Sequence, residues 1–591
     1  MTTKTHLATI SVLLALTIAI NLLISWVNNQ AIDVGFEVPD GKLTSLSFAP
    51  FRDGQNPLKK DIPRPEDIAE DIQLLADKTF SIRTYSSIDG LEIIPQLARQ
   101  HGLSVIQGAW LTYDKAVDPA TLNETARTEL LKARKSNADE IAALIKSANE
   151  NPDVVKRVIV GNEVLLRGDM SPELLVDYIH QVKQAVKQPV SYADVWSFYL
   201  KHPEVAKEVD FITIHILPYW EDEPLEVNAA IGHIEKIYQH VQQQVQAMYP
   251  GKAILIGESG WPSHGKQRGW AIPSVVNEAK FVRGLIQVSK QNGFDLNIVE
   301  AFNQSWKSSL EGVVGANWGL FSADRKPVFP LTGKVMETPN WLIHCVLSSI
   351  ILLALAGYFF RRLQALPTLS LSLFIVAAQI LSSLLIMQAL ELWQTSFNNW
   401  QKLASVVLIG LNMALFCCLL QRMLDILSHQ NGKTIIRLSL NYLYGFFVAL
   451  ALYKTSELAL NGRYISYPIF ETSLAVVGIL ALMASQYLAN RTTDKTGLYN
   501  FNYLTGQINA DNSLHKRISY ALVILGLGLI IGETYAFVVS RDFIEDHPEF
   551  AERLQLSLTY TLENSQLLIW LSSLVILAIP LWLSPRNKQA L

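Results

Sequence analysis

Apolar residues are not spread evenly along this 591-residue chain. Seven apolar runs follow residue 340, at about 341–360, 368–390, 403–421, 437–453, 467–489, 518–539 and 565–584, and an eighth, His6–Val27, sits near the N-terminus. A helical stretch of roughly 20 apolar residues matches the hydrocarbon thickness of a bilayer. Inside hydrocarbon only a helix or a closed barrel satisfies its own backbone polar groups. Residues 336–591 are therefore predicted to form an all-α polytopic membrane domain with about seven transmembrane helices. The run at 437–453 is the shortest.

Lys4 precedes the N-terminal run, which is too long for the core of a cleaved signal peptide and lacks a small-residue cleavage site near Trp26–Gln30. Residues 1–28 thus read as a cytoplasmic N-terminus with an uncleaved signal-anchor helix. Arg361 with Arg362, the segment from Arg422 to Arg437, that from Arg491 to Arg517, and Arg586 with Lys588 occupy alternate connections, whereas Asp542, Glu545 and Asp546 make another connection acidic. Basic connections stay in the cytoplasm. Both termini are then cytoplasmic, and the segment between the first two spans faces the extracytoplasmic, periplasmic side of a cell (inner) membrane. Glu533 inside one span and Glu471 near the start of another either serve a buried function or snorkel to the interface.

The segment between those spans has a different grammar. Residues 29–42 are polar and read as a linker. From 43 to 335, short apolar strands alternate with amphipathic helices. The expected strands are Leu43–Ala49, Phe80–Thr84, Ser104–Trp110, Arg157–Glu163, Pro189–Asp194, Asp210–His215, Ala253–Glu258 and Leu296–Phe302. This alternation calls for a (β/α)8 TIM barrel. Ile68, Ile72 and Leu75 keep helical spacing after Pro65; Ser171-Pro172 caps a helix with the stripe Leu175, Ile179, Val182. The fifth helix is short, and no long amphipathic helix follows strand eight.

Two strands run through glycine into a glutamate. Val158-Ile-Val-Gly161-Asn162-Glu163 and Ala253-Ile-Leu-Ile-Gly257-Glu258 each run from apolar strand through glycine to glutamate. The C-terminal mouth of a barrel is where its chemistry sits, and two carboxylates that flank one bond are the equipment of a glycosidase. With Ser259-Gly260-Trp261-Pro262 after the second, these segments resemble the acid/base and nucleophile motifs of glycoside hydrolase family 17, the β-1,3-glucanase family, over about Leu43–Gly333. The resemblance implies a retaining (β/α)8 enzyme, Glu163 as acid/base, Glu258 as nucleophile, and Asn162 on the sugar 2-hydroxyl. It also implies site roles for the Arg83-Thr84-Tyr85 segment, with Arg83 either holding the nucleophile ionised or serving as a structural ion-pair partner. After strand six, Tyr219 is expected to donate to the nucleophile, and His215 either steadies it or is a satisfied core group. Trp220, Trp261 and Trp306 read as sugar platforms, and Glu300 with Lys307 as a supporting pair.

Net charge is only −4, so no nucleic-acid partner is expected. The three cysteines, Cys345, Cys417 and Cys418, all fall in apolar runs and read as small membrane-buried hydrophobes. The twelve histidines show no ligand-like clustering, and no metal or cofactor is expected. The resulting expectation is a membrane-tethered glycosidase of the membrane-anchored bacterial type, acting on β-1,3-glucan by hydrolysis or transglycosylation. Resemblance to membrane-tethered bacterial relatives adds a glucan synthase as a partner. The alternative is a carbohydrate-binding barrel on a glucan-export or synthase-partner membrane domain.

Overall fold

The computed structural model describes residues 3–490, 499–507 and 513–584. The chain divides into two compact units, Ala31–Val335 on one hand and Met1–Gln30 with Met336–Leu591 on the other.

The first unit is built on eight parallel strands in sequential order: β1 Leu46–Ser47, β2 Ser81–Arg83, β3 Ser104–Ala109, β4 Val155–Asn162, β5 Val190–Val195, β6 Ile212–His215, β7 Ile254–Glu258 and β8 Asp295–Leu296. Strands β6 and β7 are buried along their whole length, as expected where helices cover one side and barrel packing the other. The ring closes between its ends. Ser47 N–H donates to the Ile298 carbonyl at 2.9 Å, and Ile298 N–H to that of Ser45 at 3.1 Å.

Strands one and eight are shorter than the sequence suggests. Leu43 bridges Thr79 rather than extending β1, and beyond Leu296 the wall continues through isolated bridges, Ile298 on Leu46 and Phe302 on Phe321. The reason is a polar side chain in the seam. Asn297 accepts from Ser45 Oγ at 2.6 Å and donates to Ser47 Oγ at 2.8 Å and to the Gly257 carbonyl at 2.9 Å, replacing ladder bonds with side-chain ones.

The helices form where the pattern places them. Pro65–Leu75 buries Ile68, Ile72 and Leu75, and Pro172–Ala185 starts at the Ser171 cap and buries Leu175, Ile179 and Val182. The fifth helix is only Trp196–Lys201, followed by Pro203–Glu208, and the last is Ser308–Gly315, with a kink at Gly312. Residues 31–42 differ from the linker reading. Ile32 and Val335 exchange backbone hydrogen bonds of 2.8 and 2.9 Å, and Val34 and Val38 are buried in the barrel core. The alternation Ile32, Val34, Phe36, Val38 was the signal.

In the second unit, eight helices among the described residues are long and apolar enough to cross a membrane: His6–Asn28, Trp341–Tyr358, Thr368–Gln394, Asn399–Leu427, Thr434–Tyr464, Ile469–Ala489, Leu514–Val538 and Ser565–Trp582. The short run at 437–453 lies inside the 31-residue helical stretch Thr434–Tyr464, because flanking Thr, Ser, Lys and Glu residues extend it. Asn21 Nδ2 donates to Cys345 Sγ at 3.2 Å and Gln379 Nε2 to Ser348 Oγ at 3.1 Å, polar links of the kind that join helices in lipid. Glu533 is hydrogen-bonded to Tyr467, and the Glu471 carbonyl accepts from Gln388 and Asn412. Cys345 and Cys418 are buried and Cys417 is exposed on its helix. Of the basic connections, Arg491, Arg586 and Lys588 lie outside the described residues.

Candidate active site

Glu163 and Glu258 meet at the C-terminal mouth of the ring. One carboxylate oxygen of each and one ring nitrogen of His215 all lie within 4.8 Å of one another. Local backbone explains the approach. Gly161 has φ +85° and Glu163 φ +53°, the left-handed region that ordinary residues avoid. Glu163 is held there by its own N–H, which donates to the Ala193 carbonyl at 2.8 Å. Strain of this sort persists where surrounding structure over-determines it, and it aims the side chain into the mouth.

Arg83, only 1% exposed, organises the Glu258 side. Its Nη1 donates to Glu258 Oε1 at 3.1 Å and to the Gly257 carbonyl at 2.7 Å, and its Nη2 donates to Asn162 Oδ1 at 2.6 Å. Because the Asn162 carbonyl oxygen is used by Arg83, its NH2 group is the end left to meet a ligand. The Tyr85 hydroxyl donates to Ser47 Oγ at 2.9 Å and stands beside the Glu258 carboxylate. Burial alone would raise the Glu258 pKa; the charges of His215, Arg83 and Lys307 and the Tyr85 hydrogen bond outweigh it and hold the group below the ordinary carboxylate range. Burial, then the Glu258 charge, pushes Tyr85 well above its ordinary value, so it remains a donor.

His215 is fully buried between the two acids. Its Nδ1 is 2.9 Å from Glu163 Oε1 and its Nε2 3.6 Å from Glu258 Oε1. Glu163, His215 and Glu258 have the spacing to hold a metal ion. Yet the Glu258 carboxylate already receives Arg83 and Tyr85, and the Lys307 charge also acts on it.

Lys307 Nζ grips both oxygens of Glu300, at 2.8 and 3.0 Å, so the expected pair is formed. Burial raises the Glu300 pKa against the pull of Lys307. Trp306 is half-buried, donates to Gln304 Oε1 at 2.9 Å and meets the Phe51 ring edge-on at 6.5 Å. Trp220 is half-buried and stacks on Trp318 at 6.2 Å.

Two sequence expectations need correction. Tyr219 does not donate to the nucleophile: its hydroxyl donates to the Lys266 carbonyl at 2.5 Å, and Tyr85 holds the place beside Glu258. Trp261 is no platform, since its ring is fully buried, its Nε1 donates to the Ile272 carbonyl at 3.0 Å and it packs on Phe281. The turn after Glu258 points this ring into the core instead of the cleft. Sequence reasoning also missed Ser47, Asn297 and Asp194. Asp194 lies one residue before the end of β5, near the same mouth where Glu258 closes β7, a signal that was legible. Burial lifts its pKa to about 6, with the Glu163 charge adding to the rise and hydrogen bonds from Tyr192 and Val195 opposing it.

Residues 45–319 match the family model of the BtgE/BtgC glycoside hydrolase domain. The chain is similar to a glucan 1,3-beta-glucosidase of Schizosaccharomyces pombe, 29% identical over 42% of this chain and 77% of that protein, and to one of Arthroderma benhamiae, 26% identical over 46% and 85%. Among solved structures, a glycoside hydrolase family 17 beta-1,3-glucanosyltransferase from Rhizomucor miehei aligns at 27% identity over 48% of this chain and 95% of that one, with a TM-score of 0.39. Residues 45–319 thus form a barrel that matches the BtgE/BtgC glycoside hydrolase domain and is similar to these glucosidases, and the chain that carries it is a glycosidase.

Proposed function

We propose that the barrel cleaves or transfers β-1,3-glucan by retaining double displacement. The observation that carries this reading is the separation of Glu163 and Glu258, whose nearest oxygens fall within 4.8 Å. Retaining glycosidases hold their carboxyl groups about 5–5.5 Å apart, whereas inverting ones leave roughly 6.5–9.5 Å for a water. Glu163 protonates the leaving glycosidic oxygen while the Glu258 carboxylate attacks the anomeric carbon; the leaving sugar departs and a glycosyl-ester remains on Glu258. Glu163, now ionised, takes a proton from water or from a sugar hydroxyl, whose oxygen displaces Glu258. Arg83 and Tyr85 keep Glu258 ionised and aligned, and the Asn162 NH2 group meets the sugar 2-hydroxyl. The β-1,3 linkage is supported by the related glucosidases.

The eight apolar helices anchor this barrel in a membrane, and the alternation of basic connections supports an extracytoplasmic barrel with both termini cytoplasmic. A glucan synthase in the same membrane is the partner whose product such a barrel would trim or remodel. The test is incubation of the purified full-length protein with laminarin and laminari-oligosaccharides, with anomeric configuration followed by NMR. First-formed products of β configuration are expected; α products would mean inversion and sink the mechanism.

A further inference from the structure

The loop that follows β3 is anchored far more heavily than an ordinary connection. Its residues 110–114 run beside the acid/base, since Ala109 pairs with Val160 across the β3–β4 ladder. From the outer helix Glu124–Glu150, three residues spaced one turn apart reach it. Glu140 takes the Trp110 backbone together with Ser86 Oγ at 2.5 Å and Ser87 N–H at 3.0 Å. Asn137 accepts from Thr112 N–H at 2.8 Å and donates to its carbonyl at 3.2 Å. Arg134 holds Asp114 at 2.8 Å, and Tyr178 donates to the same carboxylate at 2.9 Å.

The acid/base loop grips it from the other side. Arg167 Nη2 donates to the Leu111 carbonyl at 2.9 Å, and Arg167 Nη1 to the Asn162 carbonyl. Asp114 N–H donates to the Asp169 carbonyl at 2.9 Å. Arg167 N–H itself binds the Glu163 carbonyl at 2.9 Å, and its guanidinium lies 4.7 Å from the centre of the Trp110 ring. With Leu111 and Asp114 buried, the large side chains this clamped loop presents outward are Trp110, half-buried, and Tyr113, 40% exposed. Two aromatics, one half-buried and one exposed, fixed this firmly next to the proton donor are poorly explained by folding alone, because aromatic surface left in water contributes little to stability.

We propose that Trp110 and Tyr113 form the acceptor subsite, an aromatic platform for the glucosyl unit that departs on cleavage and enters on transfer. This rests on the retaining-glycosidase reading above. The leaving group must lie on the Glu163 side, because Glu163 protonates its oxygen, and by microscopic reversibility an incoming sugar occupies the same place. On transfer, the acceptor oxygen bonds to the anomeric carbon, the bond to Glu258 breaks, and the hydroxyl proton passes to Glu163. A platform that holds a sugar there raises its effective concentration against water.

The test uses the full-length protein in detergent, with laminaritriose as donor and acceptor and products sized by mass spectrometry. The ratio of transfer to hydrolysis reports how one intermediate partitions, so it is independent of how much enzyme is folded. Trp110→Ala is expected to lower that ratio about tenfold and Tyr113→Ala several-fold, with Trp110→Phe keeping most of it. If the wild-type protein only hydrolyses, the same ring is a leaving-group site, and Trp110→Ala should move the cleavage position along laminarihexaose. An unchanged ratio and an unchanged cleavage position in Trp110→Ala would overturn this assignment alone. A wild-type protein inert on both oligosaccharides would overturn the glycosidase reading with it.

Discussion

Arg83 binds Glu258 and Asn162 with the two ends of one guanidinium, at 3.1 and 2.6 Å. A group on β4 and a group on β7 are thereby held in fixed relation by a side chain from β2, across the ring. Removing Arg83 leaves a buried carboxylate without its main partner. Arg83→Ala should cost about 3–5 kcal/mol of stability, the cost typical of breaking a buried ion pair. Arg83→Lys keeps the charge but loses the fork that reaches both partners, so it should retain the fold and lose turnover. Thermal melts and kcat measured side by side separate the two effects.

The pH dependence of catalysis follows from the same contacts. Glu258 titrates below the ordinary range because His215, Arg83, Lys307 and Tyr85 favour its charged form over the effect of burial. In Tyr85→Phe or Lys307→Met one of these supports is gone, so the Glu258 pKa rises. The acidic limb of kcat/KM should then move to higher pH; a limb that stays where it was in both variants argues against Glu258 as the ionised nucleophile.

Glu163→Gln cannot deliver a proton. Loss of a general acid typically costs about 10²–10⁴-fold. The loss should be large for laminari-oligosaccharides and much smaller for donors with an acidic phenol as leaving group, which departs unprotonated. Equal losses on both kinds of donor would place Glu163 outside the acid role.

Glu140 gives a pH effect on stability rather than rate. Burial raises its carboxyl to about 7 in the folded chain, against the ordinary value of 4.5. The folded state therefore holds the proton where the unfolded state has lost it, and stability falls as pH rises from about 4.5 to about 7. Asp194, raised from 3.8 to about 6, adds to the fall up to about pH 6. Melting temperature of the barrel transition should decline from pH 5 to pH 7.5, and Glu140→Gln should flatten that slope.

Trp261→Ala should act as a core deletion. A fully buried Trp ring truncated to Ala costs about 3–5 kcal/mol, so unfolding in denaturant should shift strongly. A variant of native stability with only a raised KM would restore the platform role to this residue.

Much of this protein was legible in its residue order. Eight apolar stretches set the long apolar helices apart from the barrel, because length and hydropathy act locally. Strand after strand of apolar residues, four of them expected to end on a carboxylate or histidine, indicated a parallel ring with chemistry at one mouth, since period and position within a strand determine which end a residue occupies. The Glu163 and Glu258 segments, the Glu300–Lys307 pair and the Ser171 cap were readable for that reason. Side-chain direction beyond a turn was not. Tyr219 and Trp261 each follow a strand end, and nothing in their spacing says that one hydroxyl turns to Lys266 and one ring to Phe281. Tyr85 beside the nucleophile, Asn297 in the closing seam, residues 31–42 paired with Val335 and the clamped Trp110 loop all depend on contacts between segments distant in sequence. Residue order sets which groups reach the mouth of the barrel; packing of the closed ring decides which of them turn inward to fill it and which remain to meet a sugar.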